Sequence, residues 1–366
     1  MDKNIDYIIP DNIDDTVQVL KFSNNRLHPT NFLASGGWDN KLRVWEVNYN
    51  PMGTDNNITC QFVTKLHYID ELPETILSIC WQTNTYNLFT SQADGTILMH
   101  DLMGNQKRLI GKHDLGVKEI YYIDQFKCLI SGGWDGKLCV WEVNSQAQQP
   151  VLTYDLGKRV FTMSLVFPLL VIGLSERGIT YFNLNKIQSG FFQPECIFES
   201  HLKYQTRSIS VFTEGNGYAI GSIEGRVAIK HIDLNNAPEI NQETKCMNAN
   251  EDFAFRCHRT GNEIQDVFPV NAIAFNPAYG TFCTGGGDGT WLIWDRVSKS
   301  RLKLGSFPQQ QNQNKIPITA LDYSLNGDLL AYAGGYDWSK GISGENSSPN
   351  KIGIHYCIDS EKKKKK

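Results

Sequence analysis

The nine cysteines (60, 80, 128, 139, 196, 246, 257, 283 and 357) form no C-x-x-C pair, and their number is odd. A zinc ribbon, a dithiol redox centre and a complete disulfide framework are therefore excluded. Cys80, Cys128, Cys139 and Cys283 sit in apolar runs, where a thiol behaves as a small buried hydrophobe. That usage fits a reducing compartment. Long apolar segments are missing too. The longest, Met163–Leu174, is interrupted by Ser164, Pro168 and Gly173 and falls short of the roughly 20 residues needed to span a bilayer, so no membrane insertion is expected. Met1–Pro10 carries two acids and no apolar core, unlike a secretory signal, so the sequons at Asn57 and Asn346 are expected to be inert. There is no Walker loop, no G-x-S-x-G elbow, no H-E-x-x-H pair and no acid cluster with metal-ligand spacing. A non-enzymatic protein without cofactor or metal is expected.

Basic charge is scarce in the body of the chain. The 366 residues carry 35 Lys and Arg against 39 Asp and Glu, a net charge of −4. Five of the lysines form the terminal run Lys362–Lys366, so the rest stands at −9. An acidic body argues against general nucleic-acid binding through phosphate contacts. The lysine run reads as a disordered, solvated tail on a domain spanning residues 1–361.

What the chain does have is a repeat. Gly36–Val47 reads GGWDNKLRVWEV, Gly132–Val143 reads GGWDGKLCVWEV and Gly285–Arg296 reads GGGDGTWLIWDR. Weaker copies begin at Gln92, Gly173, Gly221 and Ala333. The acids Asp39, Asp94, Asp135, Glu176, Glu224, Asp288 and Asp337 mark seven units. Each unit contains four short runs of period-two alternation separated by turn residues, and no segment sustains a helical period. In the third unit the runs are Val117–Ile123, Cys128–Gly132, Lys137–Val143 and Val151–Asp155. Four strands repeated at such spacing with Trp-Asp-like endings predict an all-β, seven-bladed WD-repeat β-propeller. The seventh unit supplies only Ile318–Tyr323, Leu329–Ala333 and Ile352–Cys357. Its missing outer strand is assigned to Ile5–Ile9, which would close the ring.

The recurrent acids are assigned to the turn between the second and third strands, accepting backbone N–H groups. His67, His113, His201 and His258 are placed as their partners, and Trp45, Trp141 and Trp294 are assigned to blade packing. With scaffold positions removed, a second set remains. Trp38 and Trp134 precede two turn acids, where the sixth unit has Gly287, so the repeat does not require them. Arg226 follows Glu224, and neighbouring loops carry Lys203, Tyr204, Arg207, Arg256, His258 and Arg259. Chain direction puts all of these on one rim. Aromatic anchors beside arginines are the composition of a protein-binding hot spot, and guanidinium forks suit carboxylates or phosphates.

Several stretches carry a more specific likeness: SHLKYQTRSI (Ser200–Ile209), GSIEGRVAI (Gly221–Ile229), FAFRCHR (Phe253–Arg259), VNAIAFNPAYGTFCTGGGDG (Val270–Gly289) and AYAGGYDWSKG (Ala331–Gly341). On these the chain resembles the nuclear-pore-associated messenger-RNA export factors of the Rae and Gle type. The resemblance implies a scaffold that grips the GLEBS hairpin of an FG nucleoporin across the top of the ring and docks messenger ribonucleoprotein at the pore. It places the protein in the nucleus, at the envelope and also in the cytoplasm, with a second role in spindle assembly. By the same resemblance Arg226 pairs with acidic residues of the hairpin, and Trp38, Trp134, Arg207 and Arg259 lie on the same surface. The spindle-checkpoint propellers of the Bub type share KYQTR, EGRVA and the CHR stretch, so a kinetochore adaptor is an alternative; YDWSKG resembles the export factors. Direct single-stranded RNA binding is a further alternative. The segments Asn235–Glu251 and Gln309–Asn314 read as mobile loops between strands.

Overall fold

The alternating runs fold as strands because each places one row of apolar side chains on a neighbouring sheet. In the computed structural model, which describes residues 5–26, 31–53, 58–189, 192–234, 251–261, 265–308, 315–344 and 348–362, they build seven antiparallel four-stranded sheets. Blade 1 comprises Val17–Phe22, Asn31–Gly37, Lys41–Met52 and Thr59–Glu71; blade 2, Ile76–Trp81, Asn87–Gln92, Thr96–Asp101 and Gln106–Lys112. Blade 3 comprises Val117–Ile123, Cys128–Gly133, Lys137–Glu142 and Leu152–Asp155; blade 4, Val160–Val166, Leu169–Leu174, Gly178–Asn183 and Cys196–Glu199. Blade 5 comprises Thr206–Val211, Gly217–Ser222, Arg226–His231 and Phe253–Arg256; blade 6, Val270–Phe275, Phe282–Gly286, Thr290–Asp295 and Ser300–Ser306.

Blade 7 takes Ile318–Tyr323, Leu329–Gly334 and Lys351–Tyr356 from the end of the chain and its outer strand, Asp6–Ile8, from the beginning. The flanking residues extend that pairing: Tyr356 N–H donates to the Ile5 carbonyl and Ile9 N–H to that of Ile352. Innermost strands pack side by side around the ring, that of blade 7 against that of blade 1. The propeller is closed as the sequence predicts.

Close approach of the blades needs small residues in the second strands. A Cβ on Gly36 would lie 2.5 Å from the Ile76 side chain of the next blade, and one on Gly285 would lie 2.5 Å from Ile318. These glycines make room for the β-branched residue that opens the following innermost strand.

Four acids behave as assigned. Asp39, Asp94, Asp135 and Asp288 each accept the backbone N–H two residues on, at 3.0–3.1 Å. In blades 3 and 6 a longer relay forms. Trp141 Nε1 donates to Ser131 Oγ (2.7 Å), which contacts His113 Nε2, whose Nδ1 reaches Asp135 at 3.0 Å. Trp294, Thr284, His258 and Asp288 repeat it at 3.0, 2.9 and 2.9 Å. Blade 1 has no histidine in this place: Arg43 pairs with Asp39 at 2.6 Å, and Trp45 Nε1 donates to Asp11.

The other two histidines are corrections. His67 lies within the outer strand of blade 1 and packs on Phe32, and His201 packs on Phe198; both are exposed and away from a turn acid. Asp337 also accepts the N–H two residues on, from Ser339 at 3.2 Å, but from a shifted position. The residue after each second strand donates its N–H to the residue before the innermost strand, and in blade 7 that residue is Gly335. Tyr336 therefore occupies the acid's position, and Asp337 is one residue out of frame. Lys362, counted with the tail, is buried in the short helix Asp359–Lys362 and bonded to Asp328 at 2.5 Å. Residues 363–366 lie outside the described residues, as do 235–250 and 309–314. No helix among the described residues is long and apolar enough to cross a membrane.

Burial alone would lower the His113 pKa, but hydrogen bonds toward Asp135 and Cys139 outweigh it and raise it to about 9. The imidazolium stabilises blade 3 fully below the ordinary histidine value of about 6.5, and that contribution is lost as pH rises through about 9. NMR titration of the His113 ring should give a midpoint near 9. A midpoint near 6.5 would mean a neutral relay.

Candidate functional site

Every innermost strand has a β-bulge one residue from its start, seen as a register shift at Val17/Val19, Ile76/Ser78, Val117/Glu119, Val160/Thr162, Thr206/Ser208, Val270/Ala272 and Ile318/Ala320. A bulge re-aims one side chain. The seven re-aimed residues, Gln18, Leu77, Lys118, Phe161, Arg207, Asn271 and Thr319, all line the central channel, a cavity of about 1090 Å³.

The residue after each second strand rings the channel mouth, pinned by its N–H bond to the preceding loop. These residues are Trp38, Ala93, Trp134, Ser175, Ile223, Gly287 and Gly335. Trp38 is 45% exposed. The Trp134 indole lies on Gly116, where an added Cβ would fall 2.6 Å from the ring. Blade 6 has glycine because Asp337 and Pro269 occupy the space: a Cβ on Gly287 would lie 2.8 Å from Asp337 Oδ2. That carboxylate also accepts from Asn271 (3.4 Å) and acts electrostatically on Arg207. Confinement in the channel lowers the Arg207 pKa while Asp337 opposes the shift, and guanidinium stays charged.

Trp38, Trp134 and Arg207 thus come together at the mouth. The sequence reading did not select Arg159, Phe161, Leu115, Ile223 or Trp338, which line the same channel. Arg226, Arg259 and Lys203 stand apart, on blade 5. Arg226 opens the third strand, 3.5 Å from Glu224, and is directly opposite Arg256 in the sheet register. Arg259 Nη2 donates to the Glu224 carbonyl (2.9 Å), bracing the turn that presents Arg226. Lys203 is exposed, and its carbonyl accepts from Arg177.

Like charges placed opposite one another destabilise a sheet, and one glutamate beside Arg226 and Arg256 offsets them only in part. The top of blade 5 is therefore cationic, next to an aromatic channel mouth. Among the described residues the one group with metal-ligand geometry, His355, Cys357 and Glu361, is already committed. His355 bonds Asp6 and Glu361 at 2.8 Å each, and Glu361 also pairs with Lys303.

The WD domain, G-beta repeat family matches residues 14–46, 104–142 and 255–295. Longer similarity decides the family. The chain is 33% identical to the mRNA export factor rae-1 of Caenorhabditis elegans, over 98% of this chain and 90% of that protein. It is 36% identical to the Poly(A)+ RNA export protein of Schizosaccharomyces pombe, over 93% and 88%. The chain belongs to the Rae1 family of mRNA export factors. Protein Rae1 of Drosophila melanogaster is 32% identical over 95% of this chain and 93% of its own length. Coverage of 98% leaves no whole blade of this Rae1-family propeller outside the similarity.

Proposed function

We propose that this protein is a non-enzymatic adaptor in mRNA export, docking messenger ribonucleoprotein at the nuclear pore by holding the GLEBS hairpin of an FG nucleoporin across the top of the ring. The observations that carry this reading are the opposed Arg226 and Arg256 on blade 5 and the Trp38 and Trp134 mouth, which share one ring. An acidic hairpin would neutralise the paired guanidinium groups through charge-assisted bonds and cover the exposed indoles. The names of the relatives support the export role. RNA contact is assigned a minor part, since the body is acidic and Lys362 is used within the fold.

Titration calorimetry with a synthetic GLEBS peptide tests the site. Arg226→Glu is expected to weaken binding by about 2–5 kcal/mol, because the variant removes one charge-assisted contact and adds a repulsive one. Equal affinity for the variant and the unmodified protein would remove Arg226 from the site. Localisation of a fluorescent fusion at the nuclear rim through interphase is the cellular counterpart. Recruitment to kinetochores alone would contradict the export reading.

A further inference from the structure

Six blades join their second and third strands through three residues, whereas blade 7 uses the long loop 335–350. The described part of that loop is built around one buried side chain. Tyr336 OH donates to the Gly341 carbonyl (2.6 Å) and accepts the Lys340 N–H (3.0 Å). The Tyr336 carbonyl accepts from Thr16 Oγ1 of blade 1, and Gly344 packs so closely on the ring that a Cβ would lie 2.3 Å from the hydroxyl. Ser339 N–H bonds Asp337, and Gly341 N–H bonds the Trp338 carbonyl.

This pinned frame exposes the residues that would ordinarily be hidden. Trp338 is 50% exposed and Ile342 is 79% exposed. Trp338 also holds a left-handed backbone, φ 59°, which is unfavourable for a bulky residue and persists only where its surroundings impose it. Glycine would remove that strain. The indole rests on the Tyr336 ring, 5.6 Å between centroids, and shares the channel lining with Trp38 and Arg207. A rigid, presented aromatic side chain is how binding surfaces anchor a partner at low entropic cost.

We infer that the blade 7 loop is a preformed apolar anchor for the acidic hairpin, with Trp338 as its principal contact. This inference rests on the docking reading above. The occupant follows from charge: Arg159 and Arg207 line the channel, Asp337 acts on Arg207, and Arg226 and Arg256 face each other on blade 5, so a segment reaching from the anchor to blade 5 is expected to carry acids flanked by an apolar side chain. The turn of an ordinary blade, three residues long, has no equivalent of the Trp338 and Ile342 pair.

The test is calorimetric titration of the same GLEBS peptide into the full chain, with thermal unfolding measured in parallel. Trp338→Gly is expected to weaken binding about 30-fold or more without lowering the unfolding midpoint, since glycine fits the backbone better. Trp338→Phe, which retains an aromatic contact, is expected to bind within a few-fold of the parent. If the peptide binds the parent and Trp338→Gly alike, the anchor is wrong and the docking reading stands. Loss of affinity accompanied by a lowered midpoint assigns Trp338 a structural role and also overturns the anchor. Failure of the parent to bind the peptide removes the docking reading and the anchor with it.

Discussion

Removing residues 1–10 is expected to lower the thermal midpoint by about 10 °C and to broaden unfolding, although the deleted segment supplies one short strand. Ile5 and Ile9 are 2% and 4% exposed, and burying each contributes about 1.5–3 kcal/mol. The pairing with Lys351–Tyr356 goes at the same time, so the third strand of blade 7 becomes a free edge. The deletion also strips Asp6 from His355, a fully buried imidazole whose two nitrogens both meet carboxylates. The outer hairpin of blade 1 then loses part of its hold on blade 7, because Tyr7 bonds Thr64 and stacks on Phe62 at 5.5 Å, while Tyr49, on Asp328 and Tyr356, remains. Scanning calorimetry and size-exclusion chromatography read both consequences, loss of stability and edge-driven association. An unchanged midpoint would mean that the ring holds without its closing strand.

Asp288→Ala is expected to cost about 3 kcal/mol or more in urea denaturation, since each buried donor left without its acceptor costs about 1–3 kcal/mol. Asp288 accepts from His258, from the Thr290 N–H and from the Thr290 hydroxyl, and all three are left buried without it. Thr284 and Trp294 lose their ordering with the histidine. Asp94→Ala is the control, because Asp94 holds only Thr96 and the surface Lys112 and its loss should cost about 1 kcal/mol. Equal effects of the two substitutions would show that the relay adds nothing to the turn.

The contrast between these two acids explains what was legible in the sequence. Period-two alternation and the GGWD-type turns located the strands to within a residue or two, as in blade 3, and placed the closing segment at Ile5–Ile9. Chemistry that depends on register was harder to see. His67 and His201 carry the right residue type but sit in or just beyond strands, facing solvent, whereas His113 and His258 are buried under the next turn. Asp337 fits the spacing of its predecessors, yet the blade 7 loop departs from the repeat one residue earlier and turns it toward Arg207.

Half of the candidate site was readable, because exposed tryptophans in a repeat that does not need them stand out. The channel was not, since a bulge changes direction without changing composition. A signal did exist. The residue before each bulged position is Val17, Ile76, Val117, Val160, Thr206, Val270 or Ile318, β-branched in all seven cases and buried. The next residue is the one that enters the channel. Trp338 was passed over for a related reason: its loop has no counterpart in the other units against which to align it.

The seven bulges separate two jobs along a single strand. The β-branched anchor wedges between blades and sets the ring's closure, while its neighbour faces the passage; only Asn271 and Thr319 also reach across, to the Ile318 and Val17 carbonyls of the next blade. The polarity, charge and width of the passage can therefore be rewritten at the other five positions, Gln18, Leu77, Lys118, Phe161 and Arg207, while the wheel around it keeps its shape. A propeller of this design can diverge in what it admits at its centre long before it diverges in how it folds.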